Sequence, residues 1–301
     1  MIDVDGSARS SARSSAGSPA GNKAEREARM EAETMRLLQG FDPFGRDPHL
    51  LLELRGVLDA LLDRWFHLGI EGLEHLPASG RALLVCNHGG ALPWDALVLV
   101  AALARGPVAR VVRPLVEDAV MTAPFLGTFL TRLGCVRASQ DNAERLLQRG
   151  EVCAVFPEGM RGLAKLYKQR NQLQRFGRGG FVRLALRTDT PLLPVAIVGS
   201  EDTAPLLLKI ETFFRSNERW PYLPVTPLFP LLGPLGLVPL PARWRIRIGP
   251  PIAVKARVAD PGDAIAINNV ATEIRATVQQ QVEELVQERG KKIWAFSKEA
   301  P

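Results

Sequence analysis

The sequence predicts an α/β fold, with a mostly parallel central sheet flanked by helices. From about residue 82 onward, apolar runs of strand length alternate with segments of helical periodicity, an order that favours parallel strands joined by crossover helices. Polar residues able to do chemistry stand where the apolar runs stop, and in such sheets ligands gather at the carboxyl ends of the strands. At 46% hydrophobic residues and a mean hydropathy of +0.01 over 301 residues, the chain has enough apolar material for one large core.

Taken in order, Met1 to Lys23 is rich in Ser, Ala, Gly and Arg and reads as a disordered basic leader, residues 1–23, without the apolar centre of a secretory signal. Asp3, Asp5 and Glu25 argue against a transit peptide. Residues 24–68 read as N-terminal helices. The first is a charged surface helix over Ala24 to Leu38, stopped by Gly40 and the Asp42-Pro43-Phe44-Gly45 turn. The second runs from about His49 to Phe66, where Leu50, Leu54, Leu58, Leu61 and Trp65 recur at helical spacing.

Residues 69–301 read as the main domain. Strand candidates are Gly69 to Leu73, Leu83 to Cys86, Ala109 to Arg113, Gly134 to Arg137, Val152 to Phe156, Leu193 to Gly199 and Trp244 to Ile248. Helices are expected near Asp95 to Ala104, Thr122 to Leu133, Asp141 to Gly150 and Arg178 to Arg187, and a long one over Ala264 to Arg289. Trp220 to Pro241 breaks the alternation: it is apolar throughout yet carries seven prolines and two glycines, too many breaks for a membrane span. It reads either as an irregular lid packed on the core or as an apolar platform that touches lipid.

The net charge of +6 and a pI near 9.5 favour anionic partners, such as phosphates, coenzymes or acidic headgroups, without choosing among them. Cys86, Cys135 and Cys153 each lie inside an apolar run, which suggests buried free thiols and a reducing compartment. No apolar run reaches the roughly 18 residues of a spanning helix.

Two stretches carry chemistry. In the first, the run Leu83 to Cys86 stops at Asn87-His88, crosses Gly89-Gly90-Ala91-Leu92-Pro93-Trp94, and resumes at Asp95 on a helical segment. Asp95 reads as a helix N-cap, or as the carboxylate that holds one ring nitrogen of His88 and frees the other to take a proton. In the second, Val152 to Phe156 runs into Pro157, and Glu158 and Gly159 occupy the turn. Beyond it, Arg161, Lys165, Lys168, Arg170, Arg175 and Arg178 read either as a solvated basic surface or as phosphate-holding cations.

Asn87-His88 with Asp95, Gly134-Cys135-Val136-Arg137, Phe156-Pro157-Glu158-Gly159 with Arg161, and Pro191 to Ala196 resemble, in order and approximate spacing, the blocks of the glycerolipid acyltransferase family, the lysophosphatidic acid acyltransferase-like proteins. The resemblance covers roughly residues 82 to 200. It implies that His88 is a general base, that Asp95 orients it, and that Asn87, Arg137, Phe156, Pro157, Glu158, Gly159 and Arg161 contact substrate. It also implies no bound cofactor, with acyl-CoA or acyl carrier protein as the acyl donor. The acceptor would be a lysophospholipid or other glycerolipid, met peripherally at the cytoplasmic face of a membrane, and no nucleic acid partner is implied. Pro194 would sit at a strand edge. The chain departs from the family pattern in placing six residues, not four, between His and Asp, and in carrying Met160 where many members have Thr. These departures resemble the branch that includes neutral-lipid acyltransferases.

Other chemistries lack their signatures. No Gly-x-Ser-x-Gly elbow or Walker A loop occurs, and the four histidines lack metal-ligand spacing. Cys86 as a nucleophile conflicts with its place inside an apolar strand. A catalytically silent lipid-binding protein of the same fold is the rival of a different class.

Overall fold

A computed structural model describes residues 42–105, 110–210, 222–290 and 292–294. The leader and the helix expected over Ala24 to Leu38 lie outside the described residues.

Helix α1 (Leu50–Ala60) continues as one wide π turn, Leu61–Trp65, and leads into strand β1 (Gly69–Glu71). Then follow β2 (Ala82–Cys86), α2 (Trp94–Ala104), β3 (Val112–Val116), α3 (Asp118–Met121), α4 (Leu126–Leu133), β4 (Val136–Arg137), α5 (Gln140–Gln148), β5 (Val152–Val155) and α6 (Met160–Leu163). Next come α7 (Gly180–Thr188), β6 (Leu192–Val198), α8 (Ser200–Thr203), β7 (Leu208–Ile210), β8 (Leu223–Val225), β9 (Arg245–Ile248) and α9 (Ala264–Arg289).

The main sheet has seven strands in the order β1-β9-β6-β2-β5-β3-β4. Pairing is parallel from β6 through β4, whereas β9 joins β6 antiparallel and carries β1 parallel to itself. Side chains alternate across the sheet, so each buried strand feeds two cores. Leu84 and Cys86 of β2 face the core shared with α1, α2 and Trp244, while Leu83 and Val85 face the core built with α5, α7 and α9. Helix α1 shares its core with the central strands. Helix α9 is capped by Asp263, whose side chain accepts from the Ile265 and Ala266 N–H groups, and it buries Ile267, Val270, Ile274, Val278, Val282 and Leu285 against the sheet.

Three local expectations are corrected. The helix expected over Thr122 to Leu133 starts only at Leu126, because Pro124 and Phe125, at φ 60°, break the chain after the short α3. Strand β3 runs three residues further along than expected and contains Pro114. Pro194 stands in an interior strand, not at an edge. Its missing N–H costs no rung, because it faces the side where β9 ends at Ile248 and Gly249 donates to the Pro194 carbonyl, 2.8 Å.

The stretch before α1 is tied to the sheet by charge. Arg113 of β3 is fully buried, with Asp42 Oδ2 at 2.5 Å, Glu151 Oε2 at 3.5 Å and the Phe44 ring 5.6 Å below its guanidinium. The proline-rich segment, described from residue 222, pairs β8 with β7. It packs inward on the loop after β2 and on α8, where Leu240 N–H donates to the Thr203 carbonyl, 2.9 Å, and Trp65 Nε1 donates to the Pro239 carbonyl, 2.9 Å. Its outer side leaves Leu231 85% and Leu235 70% exposed, so it is both a packed lid and an apolar surface.

Candidate active site

The site forms where the adjacent strands β6, β2 and β5 release the chain at their carboxyl ends. Beyond β2, Asn87 uses its side chain as one more rung: its Nδ2 donates to the Ile197 carbonyl, 2.9 Å, and its Oδ1 accepts from the Ile197 N–H, 2.7 Å. That bond pair holds the chain on the sheet for one residue more and presents His88 at its rim. The loop then folds back over Gly89 and Gly90. Gly90 has φ 86°, and a Cβ there would lie 2.6 Å from the Ser200 carbonyl oxygen. Ser200 Oγ donates to the Gly89 carbonyl, 2.6 Å.

This return closes the six-residue gap. Asp95 is the second residue of α2 rather than its cap, Pro93 taking that place, and its Oδ2 lies 2.6 Å from His88 Nδ1. The same oxygen accepts from Gly89 N–H at 3.1 Å, and Oδ1 accepts from Ala96 N–H at 2.8 Å. Asp95 is fully buried. An ionised carboxylate only accepts, so Nδ1 carries the hydrogen and Nε2 keeps its lone pair. Nε2 has no hydrogen-bond partner among the described residues.

His88 is held from two more sides. Its backbone N–H donates to Glu158 Oε1, 2.8 Å, and its ring lies against Phe156 with centroids 4.7 Å apart. Gly162 of α6 packs directly on it: a Cβ at residue 162 would lie 2.8 Å from His88 Cβ and 2.9 Å from Glu158 Cβ.

His88 lines a cavity of about 40 Å³ together with Pro93, Ala96, Val120, Gly159 and Met160. Leu115, Glu117 and Phe156 border both this cavity and an open groove of about 340 Å³ that passes Pro157 and the Gly177 to Gly180 loop. Of the residues expected to meet substrate, Phe156, Pro157 and Gly159 line these spaces. Arg137 is 66% exposed on its side chain and forks both guanidinium arms onto Asp118, and Arg161 is exposed with no ion-pair partner among the described residues. Asn87 and Glu158 stand behind the site rather than in it: Asn87 is spent on Ile197, and Glu158 Oε2 accepts from Gln174 N–H at 2.6 Å while Oε1 serves His88.

Sequence reasoning missed Gly162, Ser200, Glu117 and Glu201, and read Lys165 as either a solvated surface cation or a phosphate-holding one, whereas it is buried. A signal existed only for Gly162, as a second glycine three residues after Gly159. The thiol alternative fails on chemistry: burial, reinforced by the Asp95 charge, pushes the Cys86 thiol well above its usual range.

Residues 67–198 match the acyltransferase family model. The chain belongs to the acyltransferase family. An uncharacterized protein of Mycobacterium tuberculosis is 43% identical over 248 residues, spanning 81% of this chain and 69% of that protein. A cattle (Bos taurus) protein named as a DGAT1/2-independent enzyme synthesizing storage lipids is 24% identical over 196 residues, 64% of this chain and 54% of its own length. The crystal structure of a 1-acyl-sn-glycerophosphate (LPA) acyltransferase, PlsC, from Thermotoga maritima superposes with a TM-score of 0.50 at 18% identity, over 79% of this chain and 80% of that one. That likeness is one of fold. This acyltransferase therefore shares the mostly parallel, helix-flanked sheet of that enzyme.

Proposed function

We propose that this acyltransferase moves a fatty acyl group from an acyl thioester, acyl-CoA or acyl carrier protein, to the hydroxyl of a glycerolipid, with His88 as general base. The supporting observation is the 2.6 Å contact between His88 Nδ1 and Asp95 Oδ2 on the wall of a cavity. The acceptor hydroxyl donates to His88 Nε2, which takes its proton as the oxygen attacks the thioester carbonyl carbon. Asp95 holds the tautomer and stabilises the imidazolium. Collapse of the tetrahedral adduct breaks the carbon–sulfur bond, and the imidazolium returns its proton to the departing thiolate. The scheme needs no resident cofactor. Phe156, Pro157 and Gly159 shape the space beside the reacting centre, and Arg161 and Arg137 are the cations assigned to a headgroup.

The acceptor class is either a lysophospholipid of the 1-acylglycerol-3-phosphate type or a neutral mono- or diacylglycerol. One observation favours the second: Arg137 already has a carboxylate partner in Asp118, and a phosphate would have to displace it. The storage-lipid name of the cattle relative points the same way.

Among the described residues no helix is long and apolar enough to cross a membrane. The reading is that the enzyme meets lipid peripherally, on the cytoplasmic face of a membrane, through the exposed Leu231 and Leu235 and through Phe125, 92% exposed ahead of α4.

The test is incubation with labelled acyl-CoA and a panel of lysolipids, monoacylglycerols and diacylglycerols, with the product identified by mass. His88→Ala is expected to lose about 10²–10⁴-fold in turnover while still binding lipid. Equal activity in the variant removes His88 as the base, and a wild type that binds lipid but turns over no acceptor favours a lipid-binding protein.

A further inference from the structure

We propose that Lys165 and Glu201 form a clamp beneath the β2 exit that positions His88, an inference resting on the role proposed for His88 above. In the sheet, β2 lies between β5 and β6. His88 leaves β2, Glu158 leaves β5 and Glu201 leaves β6. Lys165, just past α6, reaches both flanking carboxylates: its Nζ lies 3.4 Å from Glu158 Oε2 and 3.2 Å from Glu201 Oε1. The cation therefore links the two strand exits on either side of the one that carries the imidazole.

Both linked groups bear on the His88 loop. Glu158 accepts the His88 N–H, and Glu201 lies against Gly89, where an added Cβ would stand 2.5 Å from Glu201 Cγ. The far oxygen of Glu201 accepts from Asn171 N–H at 2.7 Å, anchoring the clamp to the following loop.

The cluster is dry. Side-chain exposure is 1% for Lys165, 0% for Glu158 and 13% for Glu201. Lys165 Nζ and Glu201 Oε1 make no well-directed hydrogen bond, so the ammonium is held chiefly by charge. Burial pushes the Glu201 carboxyl up, and the Lys165 charge opposes that push. An ammonium placed there has a large desolvation cost, which a surface lysine in the same basic run would not bear. Removing it leaves two carboxylates facing one another out of water, which is relieved only by taking up a proton or by moving apart. Either change weakens the support under His88 without touching the substrate-lined walls.

The experiment uses the full chain as Lys165→Met, Glu201→Gln and the double variant. Two readouts are taken: amide hydrogen exchange without substrate, and kcat and KM on whichever acceptor the wild type uses. In Lys165→Met, exchange at His88 and Gly89 is expected to speed up by about tenfold or more while Leu84 and Val85 stay protected. Its kcat is expected to fall about 10–100-fold with KM for both substrates within about twofold, since the wall contacts remain. The double variant removes one of the two facing carboxylates, leaving Glu158 held by the His88 and Gln174 N–H groups, and should regain about tenfold in kcat over Lys165→Met.

Unchanged exchange at His88 and Gly89, kcat and KM moving together, or a double variant no better than the single one each overturn the proposal. Should Lys165→Met fail to fold, Glu201→Gln, which keeps an acceptor for Asn171 N–H, is measured in its place: faster exchange at His88 and Gly89 with a lower kcat supports the clamp, and unchanged exchange overturns it. A wild type with protected His88 and no turnover on any acceptor removes the acyltransfer reading alone.

Discussion

Gly162→Ala offers a quantitative test of how closely His88 is packed. Gly162 lies within α6 and its φ is not positive, so alanine carries no backbone penalty there; in an ordinary helix the change stabilises by roughly 0.5–1 kcal/mol. Here the sign reverses. The new Cβ would sit 2.8 Å from His88 Cβ and 2.9 Å from both Glu158 Cβ and the His88 carbonyl oxygen, about 0.6 Å short of the 3.4 Å where ordinary contact begins. Two of these atoms belong to a loop fixed at both ends, so it is α6 or His88 that must yield. Overpacking of this kind costs about 1–3 kcal/mol, which for a chain of this size lowers Tm by roughly 2–12 °C. Because half an ångström of movement falls directly on the imidazole, kcat should drop about 10–100-fold. Gly56→Ala, likewise within a helix and away from the site, meets nothing within 4 Å and serves as the control. Thermal melts and initial rates on matched amounts of folded protein decide the matter, and a Gly162→Ala enzyme with wild-type Tm and rate would refute the packing described.

Further expectations follow from the same site. Asp95→Asn should lower kcat by about 10²–10⁴-fold by losing the tautomer that frees Nε2, with little change in Tm; near-normal rates would show that Asp95 does not orient the ring. Burial pushes the Cys135 and Cys153 thiols up to about 12, so at pH 9 only about one molecule in a thousand carries either thiolate. Iodoacetamide should leave all three cysteines of the folded protein unmodified and alkylate all three after denaturation, as counted by intact mass. Replacing Phe125 and Leu231 together with Ser should weaken flotation with anionic vesicles by about tenfold while sparing turnover of a short-chain, water-soluble acceptor; undiminished flotation would move the lipid-facing surface elsewhere.

Much of the fold was legible because period-2 burial and helical spacing are local properties of the chain. Leu83 to Cys86 could be recognised as a strand buried on both faces without knowing its neighbours. Helix α9 was legible to the residue, since Asp263 caps it and Gly290 follows it. The site was legible in composition but not in roles. In the linear chain six residues hold His88 and Asp95 apart, whereas the Gly89-Gly90 return against Ser200 beyond another strand brings them to 2.6 Å. Asn87 and Glu158 look like ligand residues in a linear chain because both are polar at strand ends. Their partners, Ile197 and the His88 amide, are 110 and 70 positions away. Lys165 reads with Lys168 and Arg170 as a surface or phosphate-holding cation for the same reason, since only the tertiary fold buries it between carboxylates.

The guanidinium of Arg113 sets a practical boundary on the molecule. Its nearest countercharge comes from Asp42, upstream of α1, and the Phe44 ring completes its cover. Removing Asp42 and Phe44 would uncap a cation sealed at the sheet, leaving Glu151 as its one carboxylate neighbour among the described residues. An aspartate remote from the candidate site thus fastens the amino-terminal edge of the described fold to its sheet.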